Sequence, residues 1–275
     1  MTTNNALTVQ EKGDNLINHI RELGSVAVGF SGGVDSSLLA AAAFKALGDK
    51  AIAITAYSET LPEREKQEAQ AIAKQIGIKH VLLNISELRS ADFVANTKDR
   101  CYYCKKERFS AMLAWAKNEG YKWMLDGSNA DDTSDYRPGL KAVGELEHVV
   151  SPLLEVGMTK AEIRELSKAW SLPTWNKPSM ACLSSRVSYG LPVTAERLKQ
   201  IEQAEDYIRT FCSGQVRVRH HNNLARIEVA PENIALLAQP EVADKINHHL
   251  KQLGFTYVTL DLTGYRTGSM NDELK

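Results

Sequence analysis

The chain has 275 residues, 43% of them hydrophobic, and a formal net charge of −1. That length suits one large domain and one small one, and near-neutrality excludes a global field drawing the chain to nucleic acid or membrane. Apolar runs such as Val26–Phe30 and Leu38–Phe44 are too short to span a bilayer, and Met1–Asn5 lacks signal-peptide character, so a reducing cytoplasm is expected, where four cysteines serve as ligands, catalysts or buried thiols.

In chain order, Leu16, Ile17, Ile20 and Leu23 recur at helical spacing before Gly24. Val26–Phe30 reads as a buried strand, Ser37–Leu47 as a helix, Ala51–Tyr57 as a strand, and Pro62–Ile76 as a charged amphipathic helix. Val81–Ile85 is a third strand, and a helix around Lys105–Glu119 leads to a fourth, Lys122–Leu125. Alternating strands and helices predict an α/β fold, a doubly wound parallel sheet with ligands at the carboxyl ends of its strands. Thr159-Lys160-Ala161-Glu162 is a capping box opening a helix to about Trp170. After Pro192 the pattern changes to a helix over Thr194–Phe211, strands over Gln215–His220 and Leu224–Val229, two helical stretches and a last strand, Thr256–Leu260. The expected division is therefore residues 1–190 for the large domain and 191–275 for a smaller α+β domain.

Ser31-Gly32-Gly33-Val34-Asp35-Ser36-Ser37 lies between the first strand and its helix. Backbone N–H groups and a helix N-terminus form an anion site there, and the two glycines allow close approach of phosphate oxygens. The run lacks the lysine of the kinase-type loop. It resembles the PP-loop of the N-type ATP pyrophosphatases, which split ATP into an adenylated substrate and pyrophosphate. The resemblance implies that Ser31, Gly32, Gly33, Asp35, Ser36 and Ser37 seat ATP. Asp126–Asp132 follows the fourth strand, and its carboxylates, Asp131 among them, are candidates to hold Mg²⁺ against the phosphates.

Cys101-Tyr102-Tyr103-Cys104 is a C-x-x-C motif, and Cys182 lies in Lys177–Arg186. Three thiolates can hold three irons of a 4Fe–4S cubane and leave the fourth open to hydrosulfide. Zinc, a redox dithiol and inert buried thiols compete with that reading. Cys212, beside Phe211, reads as structural.

Ser31–Ser37, Cys101–Lys106, Asp126–Gly139, Trp175–Gly190, Val216–His220 and Asp261–Asp272 together resemble the LarE family, sulfur transferases that mature the nickel-pincer nucleotide cofactor. The resemblance implies a small nucleotide substrate, pyridinium-3,5-biscarboxylic acid mononucleotide, adenylated on a carboxylate and converted to the thiocarboxylate. It also implies ATP and Mg²⁺, a sulfide source and a homo-oligomer. One branch of the family sacrifices the sulfur of a cysteine in the position of Cys182; another holds a 4Fe–4S cluster on three cysteines, here Cys101, Cys104 and Cys182. Under either scheme Cys182 and Asp35 take part in catalysis, and Lys106, beside Lys105, stabilises charge as AMP departs. Arg217, Arg219 and Arg266 are candidates for the substrate's phosphate and second carboxylate, since forked planar donors suit planar anions. Ser185 and Arg186 orient either the cysteine loop or a phosphate. Arg217 and Arg219, two apart on a strand, share one face, and a solvated strand face is the competing reading.

Three other classes compete. A tRNA thiolase needs a basic surface, which a net charge of −1 does not provide. An amide synthetase needs ammonia, often from a glutaminase domain for which the chain has no room. A nucleotide-binding regulator leaves the three cysteines without a role.

Overall fold

The computed structural model describes residues 7–134 and 138–274. Of the motif stretch Asp126–Gly139, residues Asp135, Tyr136 and Arg137 lie outside the described residues. The chain divides into two compact units. The first comprises Met1–Ser58, Glu63–Ser86 and Cys101–Met180, and the second comprises Glu59–Pro62, Glu87–Arg100 and Ala181–Lys275.

In the first unit, β1 (Val26–Gly29), β2 (Ala51–Tyr57), β3 (Lys79–Asn84), β4 (Trp123–Leu125) and β5 (Val149–Val150) form one sheet. Its order is β3-β2-β1-β4-β5 and every pairing is parallel. The chain steps outward from β1 to β3, then returns to place β4 on the other side of β1, where Val26 aligns with both Ala51 and Trp123. Strand order reverses there, which opens a crevice at the carboxyl ends of β1 and β4. One face of the sheet packs on Leu16, Ile20, Leu38, Leu39, Ile163 and Leu166. The opposite face packs on Phe109, Met112, Leu113 and Ala116 of the helix Arg100–Asn118. Helices on both faces explain why β2 is buried along nearly its whole length. The helix Val34–Leu47 is apolar almost all round, and its small residues Ala40–Ala43 are buried against neighbouring helices.

In the second unit, β6 (Val216–His221), β7 (Leu224–Val229) and β8 (Tyr257–Leu260) form a three-stranded sheet, antiparallel between β6 and β7 and parallel between β7 and β8. Val216, Val218, Ala225, Ile227 and Val229 pack against the helices Ala195–Ile208 and Pro240–Gln252 through Ala204, Ile208, Ile246 and Leu250.

The expected α/β architecture with a smaller α+β unit is present, and β2 and β7 have the expected bounds. Three details differ. β5 has only two residues, too few for periodicity to register. The helix carrying the C-x-x-C begins at Arg100 rather than near Lys105, which puts both cysteines within its first two turns. Finally, Ala181–Gly190, with Cys182, groups with the second unit rather than the first. The physical reason is local: Arg186 is buried against Glu205 of the helix Ala195–Ile208, and Val187 bridges His220 of β6. Among the described residues, no helix is long and apolar enough to cross a membrane.

Candidate active site

The phosphate loop follows β1 at the point where strand order reverses. Gly33 is the N-cap of the helix Val34–Leu47 and provides no side-chain cap, so no side chain of the cap residue satisfies the first N–H groups of that helix. Gly32 has φ +67°, and a Cβ there would lie 3.1 Å from the Ala69 Cα, so the left-handed turn and close helix contact both require glycine. Ser36 Oγ accepts from the Ser31 N–H at 3.2 Å and lies 3.1 Å from Ser31 Oγ, which itself accepts from the Gly33 N–H at 3.3 Å. The Ser37 hydroxyl is fully buried and has no hydrogen-bond partner among the described residues. A ring of serine hydroxyls around uncapped N–H groups suits the oxygens of a polyphosphate.

Asp35 is held by the Lys160 ammonium and by Asn129, whose amide donates to Oδ1 at 3.4 Å. The backbone N–H of Lys160 also donates to Asp131 Oδ2 at 2.8 Å. Lys160 thus ties the phosphate loop to the loop after β4. The capping box places it at the first position of the helix Lys160–Ala169, but its spacing carries no sign of the partner, and the sequence reading missed its role. Asp35 is thus already charge-paired, and a Mg²⁺ held there would have to displace the Lys160 ammonium.

The adjacent lysines of the C-x-x-C helix part company. Lys105 reaches Asp126 Oδ1 at 2.9 Å, in the loop after β4. Lys106 instead bonds the Tyr102 hydroxyl and Glu145, each at 3.0 Å, and these bonds push its pKa up to about 12. The sequence reading put Lys106 first; the structure engages Lys105 with the nucleotide-side loop. Cys101 is exposed and Cys104 half-buried, one turn apart on that helix. Both belong to the first unit, whereas Cys182 belongs to the second. Among the described residues, no three His, Cys, Asp or Glu side chains are grouped to hold a metal ion. Two thiols one turn apart fit two ligand positions of a cluster or of zinc.

In the second unit, Cys182 precedes the short turn Leu183–Arg186. Its carbonyl oxygen accepts from Ser185 Oγ at 2.8 Å and from Arg186 Nη1 at 2.8 Å. Arg186 is 1% exposed, and Nη1 also donates to the Ala181 carbonyl while Nε and Nη2 face Glu205. These donors all meet protein acceptors, four of them on the cysteine turn or Glu205. Burial pushes the Glu205 carboxyl up, but Arg186 and Arg209 outweigh it and hold the group below its ordinary value.

Arg217 and Arg219 share one face of β6 as alternation requires, but that face is buried: the two are 2% and 5% exposed. Arg219 donates to Glu228 at 2.7 Å and to the Ser269 hydroxyl at 3.0 Å, and its buried Nε has no partner among the described residues. Arg217 lies over the Tyr265 ring at 5.2 Å. Burial and the nearby Arg186 charge push its pKa down to about 10. Arg226, which the sequence reading passed over, completes the group by donating to Glu228 at 3.1 Å. Arg266 stands apart, half exposed and 3.7 Å from Asp272.

The NAD synthase family model matches residues 9–184. A pyridinium-3,5-bisthiocarboxylic acid mononucleotide synthase of Lactiplantibacillus plantarum is 38% identical over 97% of this chain and 96% of its own length. This chain belongs to the LarE family of ATP-dependent sulfur transferases. An uncharacterised Synechocystis protein is 42% identical over 96% of this chain and 98% of its own length. By contrast, an NH₃-dependent NAD⁺ synthetase of Finegoldia magna is 29% identical over only 53% of the chain and 60% of its own.

Proposed function

We propose that this enzyme adenylates a carboxylate of pyridinium-3,5-biscarboxylic acid mononucleotide and replaces its oxygen with sulfur. The observation that carries the reading is the end-to-end likeness to the synthase, which extends through the second unit, whereas the likeness to NAD⁺ synthetase spans about half of the chain. That unit contains Cys182 and the buried arginine face, neither of which ATP hydrolysis alone needs.

The chemistry follows from the leaving group. A carboxylate cannot expel oxide, so its oxygen first attacks the α-phosphorus of ATP and pyrophosphate leaves. The N–H groups and hydroxyls of Ser31–Ser37 take up the charge developing on pyrophosphate, and Asp35 with Asp131 seats Mg²⁺. A sulfur nucleophile then attacks the acyl carbon and AMP leaves, its charge met by Lys105 and Lys106. Arg217 and Arg219 take the substrate's phosphate or second carboxylate, and Arg266 is a further candidate for the same anions. Ser185 and Arg186 hold the Cys182 turn. The Nε of Arg219, which has no partner among the described residues, supports an anionic ligand on that face.

For the sulfur source we favour Cys101, Cys104 and Cys182 as ligands of a 4Fe–4S cluster, because a pair of thiols one turn apart has no use in a sacrificial scheme. Such a cluster supplies an open iron for hydrosulfide from a sulfide source. Anaerobic protein is expected to carry about four irons with matching sulfide, lost in Cys101→Ala, Cys104→Ala and Cys182→Ala alike. Iron-free protein that is active for one turnover, with Cys182 losing the elements of hydrogen sulfide by mass, would establish the sacrificial scheme instead. Under both schemes Cys182→Ala is expected to retain substrate-dependent ATP–pyrophosphate exchange and to make no thiocarboxylate.

A further inference from the structure

Lys177 lies outside any helix or strand, yet it is held at every point. Its N–H donates to the Thr174 carbonyl at 3.0 Å, and Arg164 donates to the Trp175 and Lys177 carbonyls at 2.8 and 2.9 Å. From this fixed backbone the side chain, 16% exposed, reaches three acceptors: Glu68 at 2.7 Å, Glu65 at 3.3 Å and the backbone carbonyl of Gly32 at 3.2 Å. The last of these lies inside the phosphate loop.

The Gly32 carbonyl and the Gly33 N–H are the two ends of one trans peptide and point in opposite directions. A lysine holding the oxygen therefore fixes where the N–H points. Glycine at φ +67° has a shallow preference and needs such a hold. The Gly33 N–H now reaches Ser31 Oγ at 3.3 Å, a long bond that a phosphate oxygen replaces readily. The second effect is electrostatic. Glu65 and Glu68 stand against the same loop, and without a cation between them and a polyphosphate they repel it.

We infer that Lys177 is a positioning residue for the polyphosphate of ATP, pinning the Gly32–Gly33 peptide and shielding the ligand from Glu65 and Glu68. The inference rests on the proposed use of this loop to hold ATP. It is tested by calorimetric titration of the full-length protein with Mg-ATP. Lys177→Met is expected to weaken ATP binding about tenfold, measured well below the melting temperature of each protein. Lys177→Arg restores most of the affinity, and Glu68→Gln added to Lys177→Met recovers part of it. Higher salt narrows the gap between wild type and Lys177→Met in part, because the exposed Glu68 carboxylate is screened while the buried Glu65 is not. A purely structural lysine shows neither the charge rescue nor the salt effect.

Equal affinity in wild type and Lys177→Met overturns the role, as does a loss that Lys177→Arg cannot rescue. Where Lys177→Met fails to fold, Lys177→Gln, which keeps a donor without the charge, is expected to bind about threefold more weakly, and unchanged binding overturns the role. Wild-type protein that binds no ATP overturns the reading of the loop itself, a result distinct from a wild type that binds ATP no better than its variant.

Discussion

The phosphate loop of the first unit and the arginine face of the second both suit anions, but they are made of different materials. The loop offers backbone: an uncapped helix start, a left-handed glycine and three serine hydroxyls. Its specificity lies in the path of the chain, and few charged side chains are buried to make it. The arginine face offers side chains: Arg217 and Arg219 are nearly inaccessible and are steadied by Tyr265, Glu228 and Ser269. Buried charge is tolerated only when paired, so this face depends on its glutamates, whereas the loop depends on its glycines.

The largest effect that separates the two is expected from the second unit. Glu205→Gln leaves the buried Arg186 and the partly exposed Arg209 against a neutral amide and is expected to destabilise the protein by about 3–4 kcal/mol in urea unfolding. A change below about 1 kcal/mol would show that these arginines stay solvated, and the contrast with the loop would collapse. Next comes His220, which is buried and held neutral, its pKa pushed down to about 4 mainly by burial. The unfolded chain takes up a proton near pH 6.5 while the folded one does not. Stability from this group is therefore complete above that pH, falls as pH drops from 6.5 toward 4, and levels off below. The loss is expected to reach about 2 kcal/mol between pH 7 and pH 5. His220→Gln should flatten that dependence, and an identical pH profile in the variant would contradict it.

The smallest of the three effects on stability belongs to the loop, where function suffers instead. Gly32→Ala forces a Cβ to 3.1 Å from the Ala69 backbone at a left-handed φ. It is expected to cost at most about 1–2 kcal/mol of stability while lowering ATP–pyrophosphate exchange by about 100-fold. Equal activity in the variant would mean that the loop does not approach the nucleotide through Gly32.

The same contrast explains what was legible from residues alone. Val26–Phe30 followed by Ser31–Ser37 announces itself, because a buried strand, two glycines and a helix start are all local features. The alternation in Val216–His220 likewise showed that Arg217 and Arg219 share a face. Whether that face is wet or buried depends on Glu228, Ser269 and Tyr265, which are 9 to 50 residues away in sequence. No periodicity reports such partners. The grip of Arg186 on Glu205, the pairing of Lys160 with Asp35, and the inclusion of Glu87–Arg100 in the second unit are hidden for the same reason. Lys105 and Lys106 are adjacent in sequence, and only the helix start at Arg100 decides that they serve different loops.

The turn at Cys182 has one further consequence. Ser185 and Arg186 take hold of its carbonyl oxygen, and no bond that shapes the turn involves its sulfur. The backbone conformation is therefore indifferent to what the sulfur binds. A thiol and a metal thiolate leave the same scaffold behind. A lineage built on this turn can exchange a consumable sulfur for a renewable one by changing residues elsewhere, without refolding the segment that presents it.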